Sequence, residues 1–256
     1  MAFPNFKGKH AHDSMIDPSE FKRYSQKIGK WPSYPAPKGV IFCYDRELMK
    51  HVIDNHKTEQ KEGFYGDFRF LSETKGKVAL LGNFGIGAPI AGTLLEELIS
   101  FGVKRFISIG TAGTLQRDLG IGDIVVCDSA IRDEGTSHHY AKPSKFAYAS
   151  KQLTAKIKSA LNQKGIQYAS GTSWTIDAPY RETVAEARRY QHEGILTVEM
   201  EASALFAIAE YRKIQIGSIF TISDSLAELK WKPDFESKQL RKGLETLYRV
   251  AIDVLQ

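Results

Sequence analysis

Three carboxylates stand where they could act on a ligand. Glu199 and Glu201 bracket Met200 in Leu196-Thr197-Val198-Glu199-Met200-Glu201-Ala202-Ser203, where an apolar run meets a helical pattern. Asp224 closes the next apolar run, Phe220-Thr221-Ile222-Ser223-Asp224. A carboxylate at the junction of two elements can point into a cleft. There it accepts hydrogen bonds from hydroxyls or, once protonated, delivers a proton. The plainer reading is that Glu199 and Glu201 start a helix, where negative charge suits the dipole, and that Asp224 caps the next element. Residue by residue the plainer reading is the better one. The two segments together, with the small-residue turns upstream of them, favour a site.

The first of those turns is Gly82-Asn83-Phe84-Gly85-Ile86-Gly87, between a predicted strand and a predicted helix. Glycines there let backbone approach a ligand, and a helix N-terminus offers free N–H groups to an anion. The pattern is neither a dinucleotide fingerprint nor a P-loop, because the third glycine of the first and the Lys-Ser/Thr of the second are missing. A tight connection is at least as good an account. The second turn, Phe106-Ile107-Ser108-Ile109-Gly110-Thr111-Ala112-Gly113-Thr114-Leu115, carries hydroxyls at Ser108, Thr111 and Thr114 with glycine between them, which suits a phosphate cradle. Arg46 follows the first predicted strand and has the chemistry of a bidentate donor to an oxyanion. A salt bridge to Asp45 or Glu47 at a helix start competes evenly with that role. His138 and His139 invite a metal reading, which is the weaker one because no third ligand has convincing spacing.

The elements that must position these groups alternate. Gly39–Tyr44 reads as a short buried strand, followed by a helix through Leu48, Val52 and Ile53. Lys77–Leu81 is a strand. A helix begins near Ala88-Pro89, shows Leu94, Leu95, Leu98 and Ile99 on one face, and stops at Gly102. Arg105–Ile109 and Ile121–Ala130 are strands, 150–164 is a helix ended by Gly165, and Leu240, Leu244, Leu247, Ala251 and Leu255 stripe the last helix. The expectation is an α/β fold, one domain over 39–256, with a central mixed, mostly parallel twisted sheet flanked by helices and strands long enough to curl it. Residues 1–38, polar and Pro-rich at their end, read as an arm and linker.

Composition excludes several classes. With 256 residues, 42% of them hydrophobic, the chain can bury one large core without disulfides or metal. Cys43 and Cys127 both sit in apolar runs, as buried thiols of a reducing compartment do. The start Met1-Ala2-Phe3-Pro4 has no apolar stretch of signal-peptide length, and no segment is long and apolar enough to span a bilayer. A cytoplasmic protein is expected. The net charge of +5 is spread along the chain without basic runs, so a nucleic-acid or membrane partner is not expected. A solvated surface or a taste for small anions explains it better.

The stretch Gly85–Asp123 and the pair Glu199–Met200–Glu201 with Asp224 resemble the hexameric-type purine nucleoside and uridine phosphorylases. The likeness runs over roughly residues 39–226. It implies reversible phosphorolysis of a nucleoside to free base and ribose 1-phosphate. Inorganic phosphate would be the co-substrate, with no metal or organic cofactor. By resemblance, Met200 packs on the sugar, Glu199 lies beside it, Glu201 holds the 2′- and 3′-hydroxyls, and Asp224 protonates N7 of a purine. Thr111 contacts phosphate next to the glycine turn at Gly85, while Ala112, Gly113 and Ser223 line the base pocket. Tyr180, in Ser173-Trp174-Thr175-Ile176-Asp177-Ala178-Pro179-Tyr180-Arg181-Glu182-Thr183, aligns with a residue that stacks on base or sugar. Arg181 follows it where uridine phosphorylases place a Gln and an Arg.

Two departures bear on the phosphate, the first being Cys43-Tyr44-Asp45-Arg46 where the family has a Gly-Asp-Pro-x-x-Arg loop after its first strand. In the second, Ser108 stands where the family has an arginine that grips phosphate. Arg132, in Ile131-Arg132-Asp133-Glu134-Gly135-Thr136-Ser137-His138-His139-Tyr140, could replace that arginine or equally fix a loop. The resemblance also implies a homo-oligomer, a dimer as the minimal unit and a trimer of dimers as the usual assembly, in which an N-terminal histidine, His10 or His12, crosses to a neighbouring ribose site. Four functions stay open: a purine-leaning phosphorylase, a uridine phosphorylase, a hydrolytic nucleosidase of the same fold, and a non-catalytic nucleoside binder.

Overall fold

The computed structural model describes residues 4–256, so residues 1–3, part of the start read above as lacking a leader, lie outside the described residues. Strand β1 (Gly39–Cys43) runs parallel between β4 (Val78–Gly82) and β5 (Arg105–Thr114). Every residue of β1 and β4 is buried, because helices cover both faces, and such strands read as unbroken apolar runs. Above the sheet lie α3 (Ala88–Phe101) and α6 (Ala202–Arg212); Val40, Phe42 and Phe106 point towards them. Below lie α2 (Arg46–Asn55), α4 (Lys151–Gln163) and α7 (Lys238–Leu255), which meet Ile41, Cys43, Ile107 and Ile109. Alternate residues of one strand thus supply two cores.

The sheet curls into a ring. β5 pairs in parallel with β10 (Gln215–Ser225), which pairs antiparallel with β6 (Ile124–Asp133). β6 pairs in parallel with β8 (Ala169–Ile176), β8 with β9 (Thr197–Glu199), and β9 returns antiparallel to β5. Strands of eight to eleven residues accumulate enough twist to bring a sheet back on itself. The longest ladders, β5 with β10 and β6 with β8, are parallel, as expected. Short antiparallel pairs close the ring and extend the edges: β7 (Phe146–Tyr148) on β6, β11 (Lys232–Pro233) on β10, and the hairpin of β2 (Thr58–Lys61) and β3 (Asp67–Leu71) on β4. That hairpin is absent from the sequence reading, because Thr58-Glu59-Gln60-Lys61 has no apolar alternation and takes its conformation from its partner.

The arm is ordered against the body. Asp17 caps α1 (Pro18–Lys27), its side chain accepting from the Ser19 N–H, with proline in the first turn. Lys22 donates to the Ser100 carbonyl, Ser100 Oγ donates to the Pro18 carbonyl, and Arg212 bridges Asp17 and Glu96 at 3.0 and 2.8 Å. His10, expected to cross to a neighbour, lies in a 3₁₀ turn (Lys9–Ala11) that packs on the Thr136–His139 turn of its own chain. Among the described residues no helix is long and apolar enough to cross a membrane.

Candidate active site

The C-terminal ends of β5, β8, β9 and β10 meet the N-terminal ends of α3 and α6, and there the carboxylates gather. Glu199 ends β9 and Glu201 immediately precedes α6; both are buried. Glu199 is held entirely by its own fold. One oxygen accepts from the Thr175 hydroxyl at 2.5 Å, and the other accepts the N–H groups of Glu201 and Ala202 at 2.8 and 2.7 Å. The helix-starting reading of Glu199 is therefore correct: it satisfies two orphan donors of α6. It also fixes the backbone that aims Glu201.

Glu201 accepts the N–H of Gly87, the last residue of the first small-residue turn, at 2.5 Å. Gly87 adopts φ +108°, a conformation closed to most side chains, and this lets its N–H face the carboxylate. Burial, and then the charge of Glu199, push Glu201 up to about 8. Glu199 is also raised, by burial first. Met200, between them, is half-buried.

Asp224 reaches the same edge from β10. The pairing of β10 with β5 slips between Ile222 and Asp224, so Ser223 is the extra residue of a bulge, a device that re-aims the following side chain. Asp224 lies over Gly113, where an added Cβ would sit 2.8 Å from its carboxylate, which is why this wall needs glycine. Its Oδ1 accepts from Ser223 Oγ at 2.7 Å and its Oδ2 from Trp231 Nε1 at 3.0 Å. Ser223 Oγ also lies 3.4 Å from the Ala112 carbonyl. Ala112, Gly113, Ser223 and Asp224 thus form one wall. Glu182 lies close enough to feel Asp224. Burial, then Asp224, then Glu186 push it up to about 7.

The expected phosphate ligands fare differently. Thr111 is half-buried within the C-terminal half of β5, and Gly85 is exposed in the turn after β4 with φ +96°. Ser108 is buried, 3.5 Å from the hydroxyl of Tyr44, whose ring also covers Gly110. Burial first, then Glu201, raises the Tyr44 hydroxyl well above its ordinary value. A neutral phenol therefore fills the space beside Ser108. Arg46 stands exposed in the first turn of α2 and makes no salt bridge among the described residues, so neither Asp45 nor Glu47 holds it. Asp45 instead caps the helix through the Leu48 N–H.

Arg132 is a correction. It is buried, and its guanidinium is spent on Ser137 Oγ, the Ser137 and Lys142 carbonyls and Ser144 Oγ, at 2.7 to 2.9 Å. A fifth N–H faces the Ala141 carbonyl at 3.5 Å, so Arg132 fixes the loop after β6 and has no donor left for phosphate. Replacing Arg132 by Met should strand buried carbonyls and cost on the order of 2–4 kcal/mol. The check is thermal unfolding, whose midpoint should fall by roughly 5–10 °C.

The base-pocket segment comes to the surface after Ile176. Tyr180 is 99% exposed, not packed as a core aromatic, and Arg181 is exposed beside it, both in a 3₁₀ turn (Pro179–Arg181) before α5 (Val184–His192). Three working residues went unread in the sequence. Tyr44 is recognisable only once Phe42 pairs with Ser108 and places it over β5. Thr175 shows only through the β8–β9 register, which sets it against Glu199. Trp231 sits seven residues after Asp224 in an Lys-Trp-Lys-Pro string, where an indole donor near a carboxylate is the available signal.

A family model described as the phosphorylase superfamily matches residues 38–256. Over 163 residues, 63% of this chain and 69% of the relative, the protein is 31% identical to a DeoD-type purine nucleoside phosphorylase of Bacillus cereus. A DeoD-type purine nucleoside phosphorylase of Bacillus mycoides matches to the same extent. The crystal structure of uridine phosphorylase from Vibrio fischeri ES114 superposes with a TM-score of 0.75 at 26% identity, covering 86% of this chain and 92% of that one. A purine nucleoside phosphorylase from Toxoplasma gondii, in complex with immucillin-H, gives 0.75 at 20% identity over 86% and 90%, a likeness of fold alone. The chain belongs to the phosphorylase superfamily, and the relatives it matches are pentosyltransferases.

Proposed function

We propose that the protein is a nucleoside phosphorylase, leaning towards purines, that converts a nucleoside and inorganic phosphate to free base and ribose 1-phosphate. The observation that carries this reading is the placement of two carboxylates from different elements at the same end of the sheet: Asp224 lies against Gly113 near the end of β5, and Glu201, just past β9, accepts the Gly87 N–H before α3. Cleaving an N-glycosidic bond builds positive charge on the sugar and negative charge on the base, and both must be stabilised. Glu201 would bind the sugar hydroxyls with Met200 against the ring, and protonated Asp224 would give its proton to the base nitrogen as the bond breaks. Thr111 and the turn at Gly85 would face phosphate beneath C1′, with Arg46 the expected cation that remains uncommitted. No metal or organic cofactor is called upon.

A hydrolytic nucleosidase is the second reading, and one observation favours it: Arg132 is spent in its loop, and Ser108, where the family has an arginine, lies against Tyr44, so neither position offers phosphate a free charge. One assay separates the readings. Inosine, adenosine and uridine are incubated with and without phosphate, and base release is followed. We expect purine release that rises at least tenfold with millimolar phosphate; release indifferent to phosphate rejects phosphorolysis, and faster uridine cleavage rejects the purine leaning.

We also infer a homo-oligomer in the cytoplasm. Its support is the apolar surface that the arm leaves open, with Met15 96% and Ile16 78% exposed beside Phe6 and Phe21. Sedimentation at micromolar concentration should show a species of at least twice the 28.7 kDa chain mass; a clean monomer removes the idea.

A further inference from the structure

The segment that follows β10 doubles back over the end of that strand. Leu226 donates to the Thr114 carbonyl, Gln191 Nε2 holds the Leu226 and Ala227 carbonyls at 3.3 and 3.0 Å, and the Asp234 N–H returns to the Ser223 carbonyl at 3.0 Å. Leu229, a non-glycine residue at φ +55°, makes the bend. β11 then pairs Pro233 with Asp224 and Lys232 with Ser225. The outcome is a flap whose Trp231 turns its N–H inward onto Asp224 Oδ2 while the residue stays 63% exposed. Phe235, 51% exposed, tilts against it at 6.2 Å. A large indole left in water, with only its polar edge tied to a buried carboxylate, is not explained by core packing.

We propose that Trp231 is the positioning residue for Asp224: its N–H fixes the carboxyl orientation from which the proton reaches the base. The inference rests on the nucleoside-cleaving reading and deepens it. An indole N–H donates and cannot accept, so Trp231 binds the carboxyl oxygen that does not carry the proton. Ser223 Oγ, a donor and acceptor in one, can serve Oδ1 whether or not that oxygen is protonated. The two partners thereby separate the roles of the two oxygens. A fixed carboxyl matters because proton transfer depends on placement before it depends on acidity.

The test compares W231F, which keeps the ring and removes the N–H, with wild type and D224N, on whichever nucleoside the wild type cleaves best. W231F should lower kcat by roughly 10–100-fold with KM near wild type. An N–H donated to a carboxylate favours the ionised form, so its removal should also move the alkaline limb of the kcat profile to higher pH. The titratable group facing Asp224 from another element is Glu182, and Lys232 is paired beside Ser225 on the flap; the limb should move equally in an E182Q or K232Q background. Added to D224N, W231F should cost nothing more. Without substrate, the emission of Trp231, read as wild type minus W231F, should change with pH and lose that change in D224N.

A W231F enzyme with wild-type kcat and pH limb, or Trp231 emission indifferent to D224N, overturns the assignment. Should the wild type release no base at all, the nucleoside reading falls and takes this role with it. The substrate-free emission change then tells that failure apart from a wrong contact.

Discussion

Asp224→Asn should lower purine turnover by about 10²–10⁴-fold, the usual worth of a general acid, while nucleoside affinity stays near wild type. The carboxamide keeps the shape and can still accept from one of the two donors, Ser223 Oγ or Trp231 Nε1. It cannot give a proton to a leaving base. Steady-state kinetics against calorimetric binding separate the two effects. Wild-type turnover on inosine and adenosine would end the acid role. A nucleoside whose base leaves without protonation should lose far less, and this contrast guards against reading a distorted flap as lost chemistry.

The second large effect concerns Glu201 and stability. Its carboxyl is raised to about 8 in the fold, from an ordinary value of 4.5. Between those values the folded state holds a proton that the unfolded chain has lost, so stability is greatest below about pH 4.5 and is lost as pH rises to about 8. Glu201→Gln removes the titration and keeps an acceptor for the Gly87 N–H. The variant should match wild type near pH 4.5 and exceed it at pH 9 by on the order of 2–4 kcal/mol. Melting curves across that range are the check, and an advantage that is flat in pH would refute a buried, ionising Glu201. If Glu201 holds the sugar as proposed, the same substitution should weaken nucleoside binding by about 10–100-fold above about pH 8, where the ionised carboxylate accepts from the hydroxyls more strongly than an amide does. A site residue that costs stability and serves binding is a familiar trade.

Much of the scaffold was legible because its strands are covered on both faces. Unbroken runs such as Val40-Ile41-Phe42-Cys43 and the leucine face of α3 carry their burial in their composition, and the glycines at 87 and 102 mark the ends of α3. Strand lengths were less so. Arg105–Ile109 extends to Thr114 because β9 and β10 supply ladder partners that no local pattern announces. The helix α1 within the arm is absent from the sequence reading, and its docking on α3 depends on Ser100 and Arg212, both distant in sequence.

The site divides in the same way. The sequence by itself determined which residues could do chemistry: Glu199-Met200-Glu201 and Asp224 at element ends, and glycines where backbone must come close. Only the tertiary structure decided their work. Glu199 caps a helix and aims its neighbour, Arg132 is consumed by a loop, and Tyr44 closes over Ser108. Trp231, seven residues past Asp224, folds back to hold it. The physical reason is that a side chain's type is local, whereas its free donors and acceptors are what remains after every buried neighbour has been satisfied.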